Sequence, residues 1–282
     1  MENSDNTSSK NINWFPGHMQ KARRQMEEQL KLVDIVIELR DARIPEASAN
    51  PLLKELSRNK PCLIILNKAD LADEEENNKW KKQYEYCLVL NSASENITKK
   101  VVNEVKTILK PKLDKAKERG IRKKVLRAMV VGIPNVGKST FINNIVKKKV
   151  AKTENRPGVT RNLQWIRINE DVELLDTPGV LWPKFENQED ARLLALMGSI
   201  NDSVVDKEEL VVFALNYLKE NYPGVIHGRY EVDENEKDLI SAIAYKKLWL
   251  SNDNQINRTK AVDLLLKDFR SERIGKITWQ KC

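Results

Sequence analysis

Gly132-Ile133-Pro134-Asn135-Val136-Gly137-Lys138-Ser139 follows an apolar run at 128–131 and precedes a helical pattern at 141–146. Two glycines so placed, then a lysine and a hydroxyl, make a phosphate cradle. Backbone N–H groups and a helix N-terminus face the phosphates, and the glycines let the chain approach them. Lys138 would bridge β- and γ-phosphate oxygens, and Ser139 would ligate Mg²⁺. Asn135, Val136, Gly137 and Thr140 complete the lining. Asp176-Thr177-Pro178-Gly179 supplies a carboxylate for the same metal, through Asp176, and an N–H to sense the γ-phosphate, at Gly179. Between them, Thr160 in Pro157-Gly158-Val159-Thr160 is the local hydroxyl able to complete Mg²⁺ coordination; otherwise it is a turn residue.

Asn67-Lys68-Ala69-Asp70 selects the base. Asp70 can accept hydrogen bonds from guanine N1–H and the 2-amino group, which adenine does not offer, and a site built on such bonds rejects the mismatched base strongly. Asn67 is expected at the O6/N7 edge and the Lys68 stem over the ring. In 91–94, Asn91 and Ser92 belong to a loop whose backbone could support guanine O6. The implied substrate is GTP. Asn135 is either a ligand that helps hold a monovalent cation such as K⁺ or a simple loop cap. The residue after Gly179 is Val180, where a glutamine would ordinarily orient the attacking water. Of the two histidines, His18 and His227, His18 in Trp14-Phe15-Pro16-Gly17-His18-Met19 is the candidate substitute.

These motifs run in an unusual order, with the base elements before the phosphate elements, and that order indicates a circular permutation. The elements needed to position them are strands at 34–39, 62–66, 86–90, 128–131, 163–168 and 172–175, each apolar and several ending at a motif. Helices are expected over 19–33, where Met19, Ala22, Met26, Leu30 and Val33 share one face, at 52–56, across 98–117 and at 141–146. Such alternation predicts an α/β, doubly wound, mostly parallel sheet with its ligand at the carboxyl edge. After Pro183 the pattern becomes helical, at 189–196, 207–221, 236–249 and 258–270, with Asp206 and Glu209 spaced as a capping box. The expected division is a disordered arm at 1–12, a permuted nucleotide domain at 13–187 and a small helical, RNA-binding domain at 188–282.

The chain of 282 residues carries a formal charge of +8, which favours a polyanionic partner. Residues 98–127 hold twelve Lys/Arg against three Asp/Glu, and 147–167 hold seven against one. Residues 201–282 are nearly neutral, thirteen against fourteen, although 258–281 is locally basic. Cys62, Cys87 and Cys282 are far apart, which excludes a zinc cluster and argues against a secreted disulfide framework. With no signal-peptide pattern and no run long enough to span a bilayer, a cytoplasmic monomer is expected.

The order NKAD, NSAS, GIPNVGKST, PGVT, DTPG, with WFPGHM near the amino terminus, resembles the circularly permuted GTPases. Among them it is most similar to the bacterial ribosome biogenesis GTPase A (YlqF) family over residues 13–282. The resemblance implies a GTPase acting late in assembly of the large ribosomal subunit. It also implies that the subunit stimulates a slow intrinsic rate, and that a helical carboxyl region contacts rRNA. It further implies that a hydrophobic residue replaces the catalytic glutamine, as Val180 does, that His18 positions water, and that Asn135 serves the cation. Because the carboxyl region is nearly neutral, RNA contact there is expected to be local, around 258–276. Two rivals remain: an RNA-binding placeholder that uses the nucleotide structurally, and a small-subunit assembly GTPase.

Overall fold

The computed structural model describes residues 19–57, 60–94, 96–146, 164–176, 187–251 and 253–282. The arm at 1–12, His18, Thr160, Gly179, Val180 and the Asp176 carboxylate all lie outside the described residues.

Among the described residues, six strands form one sheet in the order β3-β2-β1-β4-β6-β5. They are β1 (Ile35–Asp41), β2 (Cys62–Asn67), β3 (Cys87–Val89), β4 (Leu126–Gly132), β5 (Gln164–Arg167) and β6 (Val172–Asp176). Every pairing is parallel except that of β5 with β6. β1 is buried along its whole length, as a central parallel strand covered on both faces must be. It nevertheless contains Glu38 and Arg40, which satisfy each other: Arg40 donates from Nη2 to Glu38 Oε2 at 2.8 Å, and Glu38 Oε1 accepts from the Asn50 N–H at 2.8 Å.

Helix α1 (Met19–Leu30) turns Met26 and Leu30 onto one face of the sheet, where they meet Val36, Met129, Val131 and Leu175. Helix α2 (Pro51–Leu56) begins with Asn50 Oδ1 accepting from the Leu52 N–H. Helix α3 (Glu74–Gln83) is capped by Asp73. The single helix expected across 98–117 is two, α4 (Thr98–Ile108) and α5 (Lys110–Glu118), joined at Leu109. Pro111 explains the break: it has no N–H to donate back to Thr107, and its ring crowds that carbonyl. Helix α6 (Lys138–Val146) starts directly at the phosphate loop, with the Phe141 N–H donating to Gly137 O at 2.9 Å.

The helical region comprises α7 (Gln188–Leu196), α8 (Lys207–Asn221), α9 (Val225–Tyr230), α10 (Leu239–Lys246) and α11 (Arg258–Phe269). Asp206 caps α8 by accepting from the N–H groups of Glu208 and Glu209, but the Glu209 carboxylate does not close the expected box; it accepts from Arg192 Nη2 instead. Helix α9 is too short to show a period in the sequence. It forms after the Pro223-Gly224 stop because Glu234 accepts from the N–H groups of Gly224, Ile226 and His227. Helix α10 is shorter than the expected 236–249 and is capped by Asp238.

One hydrophobic cluster runs without interruption from the sheet residues Ile35, Ile37 and Leu39 to Leu193, Leu215, Leu265 and Trp279. The helical region therefore shares the core of the nucleotide domain and does not hang from a linker. Residues 277–282 extend this union, running from the helical region back across the sheet domain. The Ile277 N–H donates to Leu71 O at 3.0 Å and the Trp279 N–H to Arg43 O at 2.7 Å. Thr278 Oγ1 accepts from the Asp73 N–H, and Thr278 O accepts from the hydroxyls of Tyr217 and Tyr222. Gln280 Oε1 accepts from the N–H groups of Glu46 and Ala47.

Candidate functional site

Three loops meet at the carboxyl edge of β2 and β4, and Asn67 holds them together. It is only 2% exposed. Its Nδ2 donates to Val136 O in the phosphate loop at 2.8 Å, and its Oδ1 accepts from the Ser92 N–H at 3.1 Å. These bonds use only one of the two Nδ2 hydrogens, so the amide braces both neighbours while a second N–H remains for the O6/N7 edge expected of it. Two such buried hydrogen bonds contribute about 1 kcal/mol each, and losing either partner would leave a buried polar atom unsatisfied.

Gly137 makes the close approach possible. At φ +96 it occupies a backbone region that favours glycine, and a Cβ there would stand 2.5 Å from Asn67 Nδ2. Gly132 is equally constrained, since a Cβ would meet Val136 Cγ1 at 2.8 Å and Leu39 O at 3.0 Å. Lys138 is buried at the head of α6, and Ser139 and Thr140 occupy the same first turn, half-exposed. Asn144, two turns on, donates to Ser92 O at 3.0 Å, so α6 also supports the loop at 91–94. Asn91 Oδ1 accepts from the Ala93 N–H at 2.8 Å and shapes the turn. The backbone of Asp176 lies level with Val130 on the adjacent strand, beside the phosphate loop.

On the base side, Asp70 sits half-exposed in the 3₁₀ turn Ala69–Leu71, whose Ala69 N–H donates to Leu90 O at 3.2 Å. Lys68 precedes it at φ 59, ψ 36. Its ammonium contacts Asp41 Oδ2 at 2.9 Å, and Arg43 Nη2 contacts the same oxygen at 2.7 Å. Burial opposes charge on Asp41, but Arg43 and Lys68 outweigh it and hold the carboxyl well below the usual carboxylate range. Burial also lowers the Lys68 pKa, against the pull of Asp41. Arg40-Asp41-Ala42-Arg43 was legible as a strand end, yet its part in this site was not; charged residues closing a fully buried strand were the available signal.

The proposed cation residue Asn135 stands at φ 62, and its Nδ2 donates to Gly198 O in the helical region. The structure thus gives it a protein partner that the sequence did not suggest. Arg270 makes a second tie at the same place, donating from Nε to Leu196 O at 2.8 Å and from Nη2 to Ala195 O at 2.9 Å. Arg43 Nη1 in turn donates to Arg270 O at 3.1 Å. Phosphate loop and base side are therefore both fastened to one corner of the helical region.

Among the described residues, no group of three or more His, Cys, Asp or Glu side chains could hold a metal. The site fits Mg²⁺ in a different way, through a hydroxyl at the head of α6 beside a glycine-built phosphate cradle. Bound nucleotide would supply the remaining oxygen ligands. Among the described residues, no helix is long and apolar enough to cross a membrane.

A family model described as 50S ribosome-binding GTPase matches residues 127–256, and one described as RsgA GTPase matches 33–186. Ribosome biogenesis GTPase A of Bacillus pumilus (strain SAFR-032) is 43% identical over 277 residues, spanning 96% of this chain and 98% of the relative. Probable ribosome biogenesis GTPase A of Mycoplasma genitalium is 32% identical, across 98% of this chain and 99% of the relative. The crystal structure of GNP-bound YlqF from T. maritima superposes with a TM-score of 0.64 at 25% identity, covering 93% of this chain and 98% of that one. A chain aligned almost end to end with these relatives, and sharing the fold of YlqF, belongs to the ribosome biogenesis GTPase A family of circularly permuted GTPases and is a GTP hydrolase.

Proposed function

We propose that this GTPase binds the precursor of the large ribosomal subunit in the cytoplasm and hydrolyses GTP late in its assembly, with the nucleotide state controlling rRNA binding and release. The observation that carries this reading is the double fastening of the nucleotide loops to the helical region, through Asn135 with Gly198 and through Arg43 with Arg270. A change at the phosphates then has a short path to a surface outside the nucleotide site. The placeholder reading gives no reason for such ties. The names of the relatives, and the 50S ribosome-binding family model, support the partner.

Asp70 would read the guanine edge, with Asn67, Asn91 and Ser92 bracing its loop. Val136, Gly137, Lys138, Ser139 and Thr140 would enclose the phosphates, with the Gly179 N–H on the γ-phosphate. Mg²⁺ would be held by Ser139, Thr160 and Asp176, and its chemistry is to neutralise charge on the phosphate oxygens. Lys138 would stabilise transferred charge, and His18 would position water once the subunit orders it. Potassium at Asn135 would be held by the amide oxygen, which the bond from Nδ2 to Gly198 O would help to orient.

The rRNA surface is better placed on α5 and the segment after it than on 258–276. In the latter, all three arginines are paired, Arg258 with Glu208 and Asp238, Arg270 with Asp202 and Arg273 with Asp268, which leaves Lys260, Lys267 and Lys276 exposed and dispersed. By contrast Lys110, Lys115, Lys117, Arg119 and Arg122 are exposed and make no ion pair among the described residues. Such free cations suit phosphate contacts and predict strong salt dependence.

Sedimentation with purified large and small subunits, in GDP or a non-hydrolysable GTP analogue, tests the function. Monomeric protein is expected to co-migrate with the large subunit preferentially in the analogue. Co-migration with the small subunit alone, or equal binding in both nucleotides, would overturn the reading.

A further inference from the structure

Asp41 closes β1 in register with Asn67, the first residue of the base loop. It is 1% exposed. Its carboxylate accepts four hydrogen bonds: from Arg43 N (3.1 Å) and Arg43 Nε (2.9 Å) to Oδ1, and from Arg43 Nη2 (2.7 Å) and Lys68 Nζ (2.9 Å) to Oδ2. A carboxylate so completely saturated is built to hold something, and the nucleotide motifs account for Lys68 but not for its anchor.

Lys68 needs one. Its backbone lies in the left-handed region, which a lysine enters only when its surroundings impose it. Its side chain has several rotatable bonds, and fixing them over a ligand costs entropy that pre-organisation removes. With Nζ tied to Asp41 and its backbone capping the turn that carries Asp70, the stem is strung between two fixed points on the base side of the site. We propose that Asp41 is a positioning residue for the guanine base: it holds the Lys68 ammonium so that the lysine stem is stretched over the ring whose edge Asp70 reads. Arg43 fills the remaining lone pairs of Asp41 and fastens the assembly to Arg270 O of the helical region at 3.1 Å.

This inference rests on Asn67–Asp70 being the base loop, so its test separates the two. The dissociation constants of GDP and of inosine diphosphate, which lacks the 2-amino group, are measured by titration calorimetry for wild type, Asp70→Ala, Asp41→Asn, Lys68→Met and the Asp41→Asn/Lys68→Met double variant. Asp70→Ala tests the base loop alone and is expected to abolish the preference for GDP over inosine diphosphate; an unchanged preference would overturn the base-loop reading and the inference with it. Asp41→Asn and Lys68→Met are each expected to weaken both nucleotides by the same factor, about tenfold, since covering the ring is indifferent to the 2-amino group. The double variant is expected to be no weaker than either single one, the mark of two residues acting as a unit. Independent, multiplying losses, or single variants with wild-type affinity, would overturn the positioning role while leaving the base loop intact. Should Asp41→Asn fail to fold, Lys68→Met decides, because it keeps the apolar stem and removes only the anchor: wild-type affinity there overturns the proposal.

Discussion

Asn135 in the phosphate loop donates its side-chain amide to the carbonyl oxygen of Gly198, just beyond the end of α7. Gly198 is at φ +74, the left-handed turn that ends many helices. Arg270 spans the neighbouring carbonyls of Ala195 and Leu196. The loop that cradles phosphate thus leans on the capped end of a helix in the adjoining region. Asn135→Ala is expected to lower stability by about 1 kcal/mol, the ordinary worth of such a bond. Urea denaturation of the nucleotide-free protein measures it, and an unchanged midpoint would show that the bond contributes nothing in solution.

Trp279 packs against Tyr217 and Phe269, with ring centroids 5.5 and 5.7 Å away, and is 1% exposed. Its Nε1 has no hydrogen-bond partner among the described residues. Trp279→Ala should cost about 3–5 kcal/mol through the cavity it leaves. Trp279→Phe should cost far less, because it removes an unsatisfied N–H along with part of the volume. Equal losses in denaturant titrations of the two variants would contradict this account.

Acid should weaken the joint at Asp202. The hydrogen bond from Arg270 holds this carboxyl below its usual range, against a smaller opposing effect of burial. A depressed folded-state value means that the increment is full above the unfolded value, near pH 4, and is lost as pH falls through the folded one. The stability gap between wild type and Asp202→Asn should be the same at pH 7 and pH 5 and should narrow below about pH 4. Denaturation curves at these pH values check the sign; a gap that widens in acid would reverse it.

The cysteines should differ sharply in reactivity. Burial, with Glu38 nearby, pushes the Cys62 thiol up to about 12, and burial pushes Cys87 up to about 11. Cys282 is exposed. A thiolate-directed reagent at pH 8 should label the native protein at Cys282 alone and all three residues after unfolding. Mass spectrometry of the peptides reads the result, and native labelling at Cys62 would refute it.

The nucleotide edge was legible because its information is local. A phosphate loop is a strand, a glycine turn and a helix start within one short window, and β4, Gly137 and α6 appear where the pattern put them. Asn67 was found but its bracing role was not: the tie between the phosphate loop and the loop at 91–94 depends on Val136 and Ser92, which lie in other segments. Pro111 was visible and would have divided α4 from α5 had its missing donor been weighed against the helical period. The segment 277–282 left no periodic trace. Ile277 and Trp279 find their partners in Leu71, Arg43 and the aromatic residues of α8 and α11, distances in sequence over which no pattern carries.

That closing segment ties the base side of the pocket to a distant part of the sequence. The hydrogen bond from Asp73 to Thr278 spans 205 residues, and those from Glu46 and Ala47 to Gln280 span 234 and 233. Bringing such distant pieces together costs loop-closure entropy before any contact repays it. The parallel core around β1, β2 and β4 closes shorter loops, whereas the support beneath Leu71 and Asp73 requires 277–280 to be docked. The half of the pocket that distinguishes one base from another therefore leans on residues about two hundred positions away, so damage to 277–280 should blur the choice between guanine and adenine more than the grip on phosphate.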